Sequence, residues 1–391
     1  MIKELNFKKY TLLWIIISMF SFACAQVKEN QMYSSPQAPV GNKRLTVPSS
    51  VKPVLNEWMR DAFVMHGPDG NYYLTGTTAA HGRRFRDEPH CWDYNDGIYM
   101  WTSKDLKNWS PLGLVWSFDK DAAEWQKKGK PIKPGAKSVN GDLLDSVYRA
   151  LWAPELHYIK SRKKWIIAAC MNGGMGSFIL ESTSGKPEGP YVNIPANKNG
   201  AIFPDIDLSV FEDEDKSVYL VGHNHLITKM NDDLSDIVEP FKEFKETPYN
   251  PEPYIEGVWL DKHNGKYQLL QTVWSVKQPN GTYSYIGNKG NSKDVHSYDV
   301  VVSEADNIYG PYGPRYPAIL EGGHNNLFKD SKGEWWSTTF FNPRGAMGRR
   351  FPVTCRVGLV PVKWVDGKLM PDSERASQFY KNFKAKDEII K

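Results

Sequence analysis

An all-β fold, and within that class a five-bladed β-propeller, is what this sequence predicts, on three observations. From about Val51 onward, short aromatic and β-branched runs are cut by Gly, Pro, Asn and Asp, with almost no sustained helical period. A unit of strand, turn and strand recurs five times. Three of those units carry an acid at the head of the first run: Asp61, Asp207 and Glu256. Repetition of this kind marks a propeller or array, because one small sheet cannot bury both of its faces, whereas five packed radially can. The inner strand of each unit then lines a central axis.

Residues 1–25 read as a signal peptide: Lys3, Lys8 and Lys9 precede an apolar run, and Ala23-Cys24-Ala25 supplies small residues for cleavage. The run is shorter than the roughly 20 residues of a membrane-spanning helix. An exported protein is expected, periplasmic, extracellular or anchored at the outer membrane. Ser21-Phe22-Ala23-Cys24 has the outline of a bacterial lipoprotein box, and contact with a membrane is expected only if Cys24 is lipidated. Residues 26–44 are polar, with Ser34-Ser35-Pro36 and Pro39, and read as a flexible linker. A single catalytic propeller domain is expected over residues 45–370, acting as a monomer, and residues 371–391 read as a charged tail, either a short helix or a frayed end.

The units follow in order. The first is Trp58-Met59-Arg60-Asp61-Ala62-Phe63-Val64, a Pro68-Asp69-Gly70 turn and a strand from Tyr72, continued by residues 97–101 and a hairpin corner over 103–109 in which Trp109 closes the blade. The second runs from Leu151-Trp152-Ala153-Pro154-Glu155 through the turn at 161–164 to residues 165–169, 178–182 and 189–191. The third begins at Ile206-Asp207-Leu208-Ser209 and the fourth at Ile255-Glu256-Gly257-Val258-Trp259. The fifth begins at Gly322-Gly323-His324-Asn325-Asn326. A long insertion over about 116–149, rich in Lys, Gly and Asp, is expected as a surface excursion.

At 391 residues the chain can bury a large core, and aromatics make up 13% of it, with 14 Trp and 20 Tyr. Such richness suits stacking on flat apolar ligands such as sugar rings, although most aromatics simply pack between sheets. The net charge is +4 with Lys and Arg scattered among the acids, so nothing points to a nucleic-acid partner. Beyond the leader stand Cys91, Cys170 and Cys355, far apart and without C-x-x-C spacing, which excludes the usual zinc patterns and favours buried thiols.

Cleaving a glycosidic bond needs one carboxylic acid to protonate the leaving oxygen and one carboxylate to activate water, about 6.5–9.5 Å apart when configuration inverts. Acids brought from different blades would face one another across a propeller axis, and a third acid nearby would raise the pKa of the proton donor. One Asp beside Gly or Pro is usually turn chemistry. Three in matched units point to catalysis.

These residues resemble glycoside hydrolase family 43, five-bladed propellers that cleave arabinose and xylose linkages, some acting on galactose. Arg60-Asp61-Ala62-Phe63 is similar to the family's Arg-Asp-Pro motif, Ile206-Asp207-Leu208-Ser209 to its Ile-Asp-Pro-Ser motif and Glu256-Gly257-Val258 to its Glu-Gly-Pro motif, each without the proline. Trp152-Ala153-Pro154-Glu155 looks like the blade-two signature, and Gly323-His324-Asn325-Asn326 looks like the blade-five Gly-His-Gly-Ser motif. The resemblance implies Asp61 as base, Glu256 as acid and Asp207 as modulator, an oligosaccharide or polysaccharide substrate, and arabinofuranosidase or xylosidase action. It implies no required cofactor, with a structural calcium on the axis supported by His324 through water.

Trp152, Glu155, Trp259 and His324 are the further substrate-binding candidates. Glu155 could equally be a hydrogen-bonded structural group, and Trp101 reads as core. Residues 88–96, with His90, Trp92, Asp93 and Asp96, are expected to wall the pocket. The alternatives are a glycan-binding propeller without turnover, or a related propeller glycosidase acting on a galactoside, an agar oligosaccharide or a fructan.

Overall fold

The computed structural model describes residues 37–79, 95–128, 130–131, 147–148, 150–172, 174–223, 225–245, 255–285, 294–341 and 355–384. Five antiparallel sheets, each a meander of consecutive strands, form the five blades. Their inner strands are Met59–His66, Leu151–Ile159, Ser209–Glu212, Glu256–His263 and Leu327–Lys329. Residues alternate between two faces along a strand, so every blade buries both faces, and the core runs as clusters between neighbouring blades.

Blade 1 closes later than the sequence suggests. The corner at 103–109 is present, with Asp105 Oδ1 accepting the N–H groups of Lys107 and Asn108 at 2.9 and 2.8 Å, but the outer strand is Ser110–Ser117 beyond it. Trp109 precedes that strand, its indole donating to Leu106 O at 3.1 Å. Blade 4 carries a fifth strand, Tyr283–Tyr285, paired to the extended end of Lys266–Lys277. Within the 116–149 insertion a short helix, Glu124–Lys128, docks on blade 2, Trp125 Nε1 donating to Asn197 O at 2.9 Å. Two short strands, Lys130–Pro131 and Val147–Tyr148, pair beyond it, and residues 132–146 lie outside the described residues.

All four strands of blade 5 come from the C-terminal part of the chain, so the ring is not closed by a strand shared between the ends. Backbone hydrogen bonds close it instead. Leu45 and Val47 pair with Leu320, Val54 N–H donates to Val357 O at 3.0 Å, and Met59 N–H donates to Cys355 O at 2.7 Å. The described ends of the expected linker and tail are held as well. Ala38 N–H donates to Tyr283 O at 3.0 Å, and the helix Ser373–Tyr380, capped by Asp372, buries Tyr380 and sends its hydroxyl to Leu359 O at 2.8 Å. Among the described residues no helix is long and apolar enough to cross a membrane.

Candidate active site

Each blade reaches the axis through one residue in left-handed backbone: Asp61 (φ 48°), Ala153 (φ 44°), Asp207 (φ 56°), Gly257 (φ 57°) and Gly323 (φ 68°). In three blades the ladder slips there, between Arg60 and Phe63, Trp152 and Glu155, and Glu256 and Val258. A bulge bends the strand and re-aims its flanking side chains. For a residue with a Cβ that conformation costs roughly 1–2 kcal/mol. Gly257 has no substitute, since a Cβ would lie 2.5 Å from Thr272 Oγ1 and 2.9 Å from the His324 ring.

Aligning the blades on that residue corrects the expectation that the three acids are equivalent. Asp61 and Asp207 share one position, whereas Glu256 stands one residue before Gly257. Glu155 stands two residues after Ala153. The acids converge from different registers, which a repeat seen only as strand, turn and strand does not reveal.

His324 stands among them, 5% exposed. Its Nδ1 lies 3.7 Å from Asp61 Oδ1 and 3.8 Å from Asp207 Oδ1, and its Nε2 lies 3.8 Å from Glu155 Oε1. Burial works against its charge, but Asp207, Glu155 and Asp61 together hold its pKa up to about 9. Asp61 Oδ2 accepts the Thr77 hydroxyl at 2.7 Å, and Thr77 Oγ1 accepts the Ala153 N–H at 2.8 Å. Asp207 Oδ2 accepts the Gly257 N–H at 2.8 Å, which ties the blade-3 acid to the mouth of blade 4. Arg60 Nε is 3.9 Å from Asp61 Oδ1, and its guanidinium lies 5.1 Å from the centre of the Phe340 ring.

The two glutamates of this hub are driven in opposite directions. Glu155, 4% exposed, accepts the Ser209 hydroxyl at 2.6 Å on Oε2, the same oxygen that lies 3.0 Å from His157 Nε2. Burial pushes its pKa up, but hydrogen bonds and charge from His157 and His324 bring it below the ordinary glutamate value. Glu256 Oε2 accepts the Trp274 indole N–H and the Tyr298 hydroxyl, each at 3.0 Å. Burial and then Asp207 raise its pKa, which Arg60 and the two hydrogen bonds only partly offset.

The remaining candidates separate. Trp259 is half-buried, 5.9 Å from His157 in a near-parallel stack and 5.4 Å from Phe63 edge-on, so it belongs to an aromatic cluster farther along the inner strands. Trp152 is half-buried at the mouth of blade 2, its carbonyl accepting the Cys170 thiol at 3.5 Å. Trp101 lies in the core. Of the expected pocket wall, residues up to 94 lie outside the described residues, while Asn95 is clamped to Leu151 by two hydrogen bonds of 2.7 and 2.9 Å. Cys170 and Cys355 are buried free thiols, as expected, and Cys91 lies outside the described residues.

Sequence reasoning passed over Thr77, Trp274 and Tyr298, and it quoted Arg60 without giving it a role. The available signal was alternation along the blade-4 strands, which puts Thr272 and Trp274 on one face. A cation at the hub finds no direct cage: among the described residues no three His, Cys, Asp or Glu are arranged to hold a metal, and both His324 nitrogens face carboxylates.

The family description Glycosyl hydrolases family 43 matches residues 50–369. A β-D-galactofuranosidase of Aspergillus niger is 28% identical over 205 residues, covering 47% of this chain and 54% of its own length. The chain spans about half the length of the curated relatives it matches. The crystal structure of a thermostable family-43 glycoside hydrolase superposes with a TM-score of 0.54 at 19% identity, over 84% of this chain and 96% of that one. An endo-1,4-β-xylanase structure from Bacteroides thetaiotaomicron superposes with a TM-score of 0.53 at 21% identity, over 84% and 97%. These likenesses show the propeller fold.

Proposed function

This chain belongs to glycosyl hydrolases family 43, and on that premise we propose that it is an inverting glycoside hydrolase with Glu256 as general acid, Asp61 as general base and Asp207 as the group that keeps Glu256 protonated. Glu256 gives its proton to the glycosidic oxygen. The bond from the anomeric carbon to that oxygen breaks, with the electron pair staying on the leaving oxygen. Water then adds from the opposite face as its proton passes to Asp61.

One observation carries this reading: a half-buried carboxyl, Glu256, whose ionisation is opposed by desolvation and by Asp207, converging on the same axis as the hydrogen-bonded Asp61 and Asp207. Paired titratable groups whose environments differ in this way take the acid and base roles. The acid and base roles in this reading fall to side chains. For the sugar, the family and the similarity to a β-D-galactofuranosidase support a furanosyl residue, arabinofuranoside first, with xyloside next, in oligosaccharides or polysaccharides of plant type. The leader pattern of residues 1–25 supports export, and the mass of the mature N-terminus separates cleavage from lipidation at Cys24.

The test is hydrolysis of arabinofuranoside, xyloside, galactofuranoside and galactoside aryl substrates by the wild type, Glu256→Gln and Asp61→Asn. Turnover of one substrate that Asp61→Asn abolishes is expected, with the product's first-formed anomer inverted. Binding of polysaccharide without turnover of any substrate would overturn the enzymatic reading.

A further inference from the structure

We propose that Trp274 and Tyr298 are positioning residues that decide which oxygen of Glu256 carries the transferable proton, holding Oε2 as an acceptor and leaving Oε1 to face the leaving group. The inference rests on the reading of Glu256 as the acid. An indole N–H can only donate, so the Trp274 contact occupies a lone pair of Oε2 whether or not the carboxyl is protonated. The Tyr298 hydroxyl points at that same oxygen. The hydroxyl oxygen of a carboxylic acid is its poorer acceptor, so an oxygen meeting two donors is the carbonyl-type one. The proton is then on Oε1.

The two donors are rigid. Trp274 and Tyr298 are directly opposed on neighbouring strands, their rings stacked 4.0 Å apart at 15°. Phe340 packs edge-on against Tyr298 at 6.3 Å, and the Thr272 hydroxyl lies 2.9 Å from the Tyr298 oxygen. Both rings are buried. Burial first, then Glu256 and Asp207, drive the Tyr298 phenol well above its ordinary pKa, so it remains a neutral donor. The charged groups facing Glu256 are Asp207, which favours its protonated form, and Arg60, which opposes it.

The experiment measures kcat/KM against pH for the wild type, Tyr298→Phe, Trp274→Phe and Glu256→Gln on two substrates. These share one sugar, with an activated nitrophenyl leaving group in one and a sugar alcohol in the other. Each lost donor had stabilised the carboxylate, so in both donor variants the basic limb of the profile is expected to move to higher pH. Activity on the poor leaving group is expected to fall about ten- to hundredfold, as for a misdirected acid, with the activated substrate changed less than about threefold. Equal losses on the two substrates, or a basic limb that stays in place, would overturn the proposal and leave the pair as packing only. Full activity of Glu256→Gln on the poor leaving group would instead overturn the acid assignment itself, a separate result.

Discussion

Glu155 and Glu256 reach one hub from blades 2 and 4, Glu155 buried and Glu256 half-buried, yet desolvation decides the ionisation of only one of them. Glu155 meets two imidazoles and a hydroxyl, and they hold it ionised. Glu256 meets neutral donors and a second acid, and its charge is disfavoured. Desolvation acts on both carboxyls, so the partners decide which is favoured in its ionised form and which in its protonated form.

The sharpest way to break the comparison is to remove each carboxylate in turn. Glu256→Gln is expected to lose about 10²–10⁴-fold in kcat on substrates with poor leaving groups, measured under saturating conditions. Glu155→Gln is expected to act on stability instead. Taking one partner from a buried ion pair costs about 3–5 kcal/mol, read as a fall in Tm. An unchanged Tm would show that Glu155 is not the hub's counter-ion.

Proton linkage sharpens the contrast. His324 is raised from 6.5 to about 9, so its contribution is fully present below pH 6.5 and is lost as pH rises through 9. Glu155 is lowered, so its contribution is present above its unfolded value near 4.5. The Tm gap between wild type and Glu155→Gln is therefore expected to be widest between those limits and to close towards pH 9 in thermal melts. Glu256 has the opposite sign. Its raised pKa destabilises the fold once the pH exceeds the unfolded value, so Glu256→Gln is expected to raise Tm at pH 7 in the same melts. The smallest effect concerns metal: a structural calcium held beside His324 through water, as the family resemblance implies, is expected to show as a small fall in Tm on chelator treatment that added calcium reverses, and an unchanged Tm would refute it.

The blades were legible because strand length, turn residues and aromatic runs are local properties. So were Asp61, Asp207, Glu256 and His324, which stand in short strings similar to family motifs. What escaped was register. No local pattern marks Asp61 and Asp207 as the left-handed residues of their strands while Glu256 lies one step before its glycine. The partners of the acid were hidden for another reason. Trp274 and Tyr298 sit in strands that are buried almost throughout, where an aromatic reads as core, and only the cross-strand pairing reveals that both point a donor at one carboxyl oxygen. The link from Asp207 to Gly257 likewise joins residues whose proximity is made by the ring alone.

The seam between the first and last blades has a consequence in time. A chain made from its N-terminus completes blades 1 to 4 in order, each from contiguous strands, but Val54 and Met59 must wait for Val357 and Cys355 before their backbone groups are paired. Until then the molecule is an open arc, with the blade-1 acid present and His324 not yet against it. All the hub residues precede residue 355, so a chain truncated there would keep them and yet leave Val54 and Met59 without their blade-5 partners.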